Sequence, residues 1–333
     1  MEKENSQNTM KKIISLSKQA HKLNKEGHYK AAEDIFKRAL NLDDNNVYIL
    51  VGLGDLNRKM KRFSASVPFY KRALDVEPAN KFALTGLGDA YRGMQNIGTA
   101  LKVWEQYLSH NENDYKVMTR IADGYRRLGN FEAAQTFYDK ALGIKPDDFY
   151  ALIGLGSIYT KAGQDDKALE YYKKLINLSE KSVVAFTSIA NIYRNKKEFK
   201  KALDYYEHVI EISPGNSHAW NGKGDCYRGL KDYQTAIEAW QRAIKFGMEP
   251  KNGLTRIADA YVNLEKLEQA EETYNKAITF GYSKYACLGL IRIYMKRNQF
   301  ENVRKTFNIL NQKDSEDPLI KEEYNKFIKR EKE

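Results

Sequence analysis

Three Gly-x-Gly fragments, Gly86-Leu87-Gly88, Gly154-Leu155-Gly156 and Gly222-Lys223-Gly224, have the spacing of a phosphate-binding turn. Such a turn follows a strand and opens a helix, so that bare backbone N–H groups close on a pyrophosphate. None of the three follows a strand-like run, and Tyr91, Tyr159 and Tyr227 stand where the third glycine belongs. They read as packing positions of a helix. The histidines, His21, His28, His110, His208 and His218, are scattered. His21 and His28 are one i,i+7 pair, and no His-Glu-x-x-His run puts two ring nitrogens on one helix face. Cys226 and Cys287 lack a local nucleophile signature. From these residues we expect no enzyme, no cofactor and no metal.

A second set of residues carries charge chemistry. A carboxylate or amide precedes a guanidinium by three positions in Asp55/Arg58, Asp89/Arg92, Asp123/Arg126, Asn191/Arg194 and Asp225/Arg228. On a helix such i,i+3 pairs stabilise the coil by about 0.2–0.5 kcal/mol each. Turned toward a partner, the same arginines fork onto a peptide's carboxylates or carbonyls. The two readings are compatible, because an ion pair can hold an arginine in place for a ligand.

The elements that position these residues repeat. A small residue, a tyrosine, an aromatic, an alanine, a second aromatic and a second alanine return every 34 residues. Residues 115–148 show it as Ala122, Tyr125, Phe131, Ala134, Tyr138, Ala141 and Pro146. Each unit holds two apolar stripes of helical period, such as Leu152-Leu155-Gly156-Tyr159 and Ala168-Tyr172-Leu175, joined by a polar break at 161–165. Small residues at Gly54, Gly88, Ala122, Gly156, Ala190, Gly224 and Ala258 let the first helix lie close to the second, and alanines at 32, 100, 134, 168, 202, 236 and 270 do the same from the other side. One helix pair cannot bury its apolar face alone, so the pairs must stack.

The pattern resembles the tetratricopeptide repeat family, whose motif is Trp-x2-Leu-Gly-x2-Tyr, then Ala-x3-Phe, then Ala and Pro. Repeats in this register begin at Ile13, Val47, Lys81, Tyr115, Phe149, Val183, Ser217, Lys251 and Lys284, the eighth being one residue short. The expected fold is all-α: an α-solenoid winding as a right-handed superhelix of nine helix-turn-helix repeats over 13–317. A capping helix over 318–333 follows, opening at Asp317-Pro318 and carrying Ile320, Tyr324, Phe327 and Ile328 as its apolar stripe. The polar segment 1–12 is expected to be disordered. Departures are Asn57 for tyrosine, Ser66 for alanine, Pro68 inside the second helix of repeat two, and Ile291 and Val303 in the last repeat. Pro68 should bend its helix.

The resemblance implies a non-catalytic protein–protein interaction scaffold whose concave face is lined by first-helix positions 2, 5, 6, 9, 12 and 13. Those positions hold fifteen basic and five acidic residues, nearly the whole net charge of +11. The candidate ligand-binding residues on that face are Arg58, Asp89, Arg92, Arg120, Asp123, Arg126, Arg194, Asp225, Arg228, Arg256 and Asp259. A basic groove implies a protein or peptide partner of acidic or mixed charge. RNA or another polyanion is the alternative, which the five aspartates on the same face oppose. Tyr48, Phe82, Tyr150 and Tyr285 open first helices and read mainly as packing between repeats. Some members clamp a chaperone's C-terminal carboxylate with lysine; that position holds Ser17, Val51, Thr85, Thr119 and other uncharged residues here, so this partner class is not implied. Two cysteines in separate repeats indicate reduced thiols and a cytoplasmic setting. The basic start Met10-Lys11-Lys12-Ile13-Ile14 ends at Ser15, too soon for a secretory signal. No run of about 18 apolar residues spans a membrane.

Overall fold

The structure is a computed structural model describing residues 2–331, with side chains from residue 8. The described residues form nineteen helices and no strand. The chain divides into two compact units, Met1–Lys174 and Leu175–Glu333.

The first unit contains α1 (Glu2–Glu26), α2 (Tyr29–Leu40), α3 (Val47–Lys59), α4 (Phe63–Val76), α5 (Lys81–Gly93), α6 (Ile97–Leu108), α7 (Tyr115–Arg127), α8 (Phe131–Ile144) and α9 (Phe149–Lys161). The division falls inside α10 (Asp165–Leu178). The second unit continues with α11 (Val183–Asn195), α12 (Phe199–Ile212), α13 (Ser217–Gly229), α14 (Tyr233–Lys245), α15 (Pro250–Asn263), α16 (Leu267–Thr279), α17 (Lys284–Lys296), α18 (Phe300–Asp314) and α19 (Pro318–Glu331). Within each unit, helices pack in sequence order as pairs, an odd-numbered first helix against an even-numbered second one.

Local chemistry sets the helix boundaries. First helices start on side-chain caps: Asn46, Asn80, Asp114, Asp148, Ser182, Asn216 and Ser283 each accept from an N–H in the first turn. This satisfies donors that the helix itself leaves open. First helices end on a left-handed residue, Gly27, Gly129 or Gly163 in some repeats and Lys61, Gln95, Lys197, Lys231, Glu265 or Asn298 in others. The N–H after it then closes on a carbonyl five residues back, as in Arg62 N to Asn57 O at 2.9 Å.

The Gly-x-Gly fragments are packing sites. A Cβ at Gly86 would lie 2.4 Å from the Tyr70 ring of the preceding repeat, and one at Gly88 would lie 2.3 Å from Trp104 of its own. Gly154 and Gly156 meet Tyr138 and Tyr172 in the same way, and Gly222 and Gly224 meet Tyr206 and Trp240. Each of these three first helices therefore receives two large rings, one from each side. The alanines at 32, 100, 134, 168, 202, 236 and 270 are fully buried, as are Trp104 and Trp240.

Three local expectations need correction or refinement. Residues 2–12, expected to be disordered, continue α1 back to Glu2. Their polar composition is compatible with helix because Glu, Lys and Gln are good helix formers. Helix α4 runs unbroken through Pro68. Both Pro68 and Ser64 face solvent, so the carbonyl that loses its N–H partner can be hydrated. Tyr48, Phe82, Tyr150 and Tyr285 are mostly solvent-facing rather than packed between repeats, 61–70% exposed, although Tyr48 keeps a ring contact with His21 of the preceding repeat.

Helix α19 packs on α17 and α18. Ile320 and Phe327 join a buried cluster with Ile291, Val303 and Phe307, while Tyr324 lies half out of it. Asp317 caps α19 by accepting from Leu319 and Ile320 N–H and pairs with Lys284 Nζ at 2.6 Å. No helix among the described residues is long and apolar enough to cross a membrane.

Candidate functional site

The eleven candidate residues sit on first helices, and the structure joins them across repeats as well as within them. In the first unit, Asp89 of α5 is the hub. Its carboxylate faces Arg58 of α3 at 3.5 Å, Arg92 of its own helix at 3.2 Å and Arg120 of α7 at 3.6 Å. Arg58 also pairs with Asp55 at 3.1 Å. Asp123 holds Arg126 at 2.5 Å and Arg127 at 3.0 Å.

In the second unit the hub is Asp225 of α13. It faces Arg194 of α11 at 3.5 Å and Arg228 at 3.4 Å, and hydrogen-bonds Arg256 of α15. Asp259 accepts instead from the Tyr274 hydroxyl. Arg292 pairs with the buried Glu323 of α19 at 2.9 Å. Four of the five expected i,i+3 rungs form, at Asp55, Asp89, Asp123 and Asp225. At the fifth, Arg194 faces Asp225 and Asn191 accepts from Tyr206. The pairs 31 residues apart were not expected. The signal was present: 31 is one repeat less one helical step of three.

A further contribution from the second helices was also missed. Tyr70, Tyr206 and Tyr274 reach across the small positions, and their hydroxyls donate to Asp55, Asn191 and Asp259, each 15 residues earlier. Burial, reinforced by the neighbouring Asp55, pushes the Tyr70 phenol well above its ordinary range, so it stays a donor at any physiological pH. At Trp104 and Trp240 no hydroxyl exists. There the acid 15 residues earlier, Asp89 or Asp225, is the one surrounded by three arginines.

The first unit also has a cleft of about 690 Å³ over α5, α7 and α9. Its walls carry Arg92, Lys116, Arg120, Arg126 and Arg127 against Asp123 and Asp148, with Tyr115, Tyr138 and Tyr150 between them. Asp148 is already engaged as the α9 cap and accepts from Thr119. The Nε of Arg126 is buried without a hydrogen-bond partner. Positive charge and the exposed ring of Tyr150 thus line one opening.

The chemistry set aside in the sequence stays apart. Cys226 and Cys287 are buried free thiols, and burial pushes them up to about 12 and about 11. Such thiols are poor nucleophiles at neutral pH. His21 lies among Phe36 and Tyr48, and burial lowers its pKa.

Stacked helix pairs with charged first-helix faces define a helical repeat protein. Tetratricopeptide repeat sequence models match residues 47–80, 116–181, 183–216, 205–238 and 252–280. The chain belongs to the tetratricopeptide repeat family. No curated protein sequence matches it significantly. Among solved structures it is similar to a tetratricopeptide repeat protein from Parabacteroides merdae, with 18% identity over 78% of this chain and 99% of that one, at a TM-score of 0.59. The C-terminal part of a repeat protein from Cytophaga hutchinsonii matches at 18% identity, 71% and 97% coverage and a TM-score of 0.60. A chain of the Cut9–Hcn1 hetero-tetramer matches at 17% identity, 80% and 52% coverage and a TM-score of 0.54. At these identities the likeness concerns the fold.

Proposed function

We propose that this protein is a non-catalytic interaction scaffold that holds an acidic or mixed-charge peptide segment against its first-helix faces. The observation that carries this reading is the first unit's cleft, where five cations outnumber two carboxylates and exposed Tyr150, with half-buried Tyr115, supplies ring surface. Arginines half-buried against aspartates are already oriented, so little side-chain freedom is lost when a ligand carboxylate arrives. Exposed Tyr150 at the cleft and Tyr48 and Phe82 on neighbouring first helices add apolar contact that phosphate-backbone binding does not require.

The test is a triple variant, Arg92→Ala, Arg126→Ala and Arg194→Ala, titrated with an acidic peptide library and with random-sequence RNA at several salt concentrations. We expect selective peptide binding that weakens moderately as salt rises and is lost in the variant, while helix content by circular dichroism is unchanged. Tight binding to RNA of any sequence with a steep log–log salt slope would replace this reading with a polyanion one. Peptide binding unchanged by the triple variant would move the site away from the arginines.

A further inference from the structure

The three-arginine hub occurs twice, in the same form, 136 residues apart at Asp89 and Asp225. In both, arginines stand 31 residues before, three after and 31 after the aspartate: Arg58, Arg92 and Arg120 in the first unit, and Arg194, Arg228 and Arg256 in the second. A simple 34-residue repeat does not require this. Asp55 has Asn24 and Gly86 at the outer offsets, Asp123 has Gly154 at the later one, and Asp259 has Val262 and Leu290 where two arginines would be. Only two positions carry the full set.

Their surroundings are duplicated too. Both arginines of the three-residue step lie over a tryptophan, Arg92 at 5.7 Å from the Trp104 ring and Arg228 at 5.9 Å from that of Trp240. Each tryptophan is fully buried and its Nε1 has no hydrogen-bond partner. The run Thr119-Arg120-Ile121-Ala122-Asp123 returns unchanged as Thr255-Arg256-Ile257-Ala258-Asp259.

A lone carboxylate needs one guanidinium for neutrality. Here three converge on one, and the aspartates are nearly buried, with side chains 8% and 11% exposed. The arginines keep 27–48% of their side-chain surface in solvent. Arg58 is shared with Asp55 in the first cluster, and Arg228 and Arg256 act electrostatically on Asp259 in the second. Each cluster therefore presents a formal excess of one positive charge, with like charges brought together and N–H donors left over. An incoming carboxylate relieves that repulsion and takes up those donors.

We infer that the chain carries two equivalent carboxylate sites, one in each unit, each taking an acidic side chain of a peptide partner. This rests on the scaffold reading above and adds its stoichiometry. The probe is a synthetic octaglutamate peptide, titrated calorimetrically into the full chain at low salt. Two peptides should bind per chain with similar affinity. Arg120→Ala and Arg256→Ala should each reduce the stoichiometry to one, and the double variant should weaken what remains at least tenfold. Arg120→Gln and Arg256→Gln, which keep most of the stem, serve if alanine disturbs folding by circular dichroism. One peptide per chain, lost with Arg120→Ala and untouched by Arg256→Ala, would overturn the duplication and leave the scaffold reading standing. No octaglutamate binding, or binding indifferent to both arginines, would overturn both.

Discussion

Gly154 has no room for a side chain. Its Cβ would sit 2.1 Å from the Tyr138 ring, inside any tolerated contact. Gly154→Ala should displace that ring and lower stability by roughly 1–3 kcal/mol, read as a fall in melting temperature. Gly143, near the end of α8, has open space around it. Gly143→Ala should therefore raise stability by about 0.5–1 kcal/mol, because only the helix propensity changes. Opposite signs from two glycines are the diagnostic result; a loss at both would contradict the packing account. The Gly-x-Gly fragments were legible as packing sites because a tyrosine in the third place excludes the phosphate turn. The exposure of Tyr150 was not legible, since it depends on where the neighbouring repeats end, which no local pattern states.

At the scale of the element, the turns and the last helix make the sharper claims. Glu265 ends α15 in the left-handed region at φ 60, where its Cβ crowds the following carbonyl. That conformation costs an ordinary residue about 1–2 kcal/mol. Part of the relief from glycine returns as unfolded-chain entropy of about 0.5–1 kcal/mol. Glu265→Gly should thus stabilise the protein by up to about 1 kcal/mol in denaturant unfolding. Asp317 governs α19. The Lys284 ammonium hydrogen-bonded to it, aided by the two N–H groups it caps, holds its carboxyl below the ordinary carboxylate range. A depressed folded value means the contribution is complete above the unfolded pKa near 3.9 and is lost as pH falls through the folded one. Amide exchange in α19 should therefore stay protected from neutral pH down to about 4 and open below it. In Asp317→Ala it should already be faster at neutral pH. The α19 start was readable from Asp317-Pro318, whereas the helical course of residues 2–12 was not, because a polar segment without an apolar stripe carries no period.

At the scale of the whole molecule, the one-dimensional plan decides how damage spreads. Repeats and most of their boundaries could be read directly, because each unit repeats one solution to burying a two-helix face. The hubs at Asp89 and Asp225 could not, because their members come from three repeats and meet only once the stack exists. Within each unit, substantial contacts run only between helices one or two apart in order. A local fault should consequently stay local. Ala134 tests this: it is fully buried in α8 in one cluster with Met118, Ala122, Tyr138, Ala151 and Leu155. Four of these residues lie on α7 and α9, so a larger side chain must displace packed neighbours on both helices. Ala134→Leu should overpack that contact at a cost of roughly 1–3 kcal/mol. Hydrogen exchange should quicken in α5 to α9 and keep its wild-type rate in α13 to α19. Uniform loosening along the chain would mean that the repeats unfold as one cooperative block and that nearest-neighbour coupling is the wrong description.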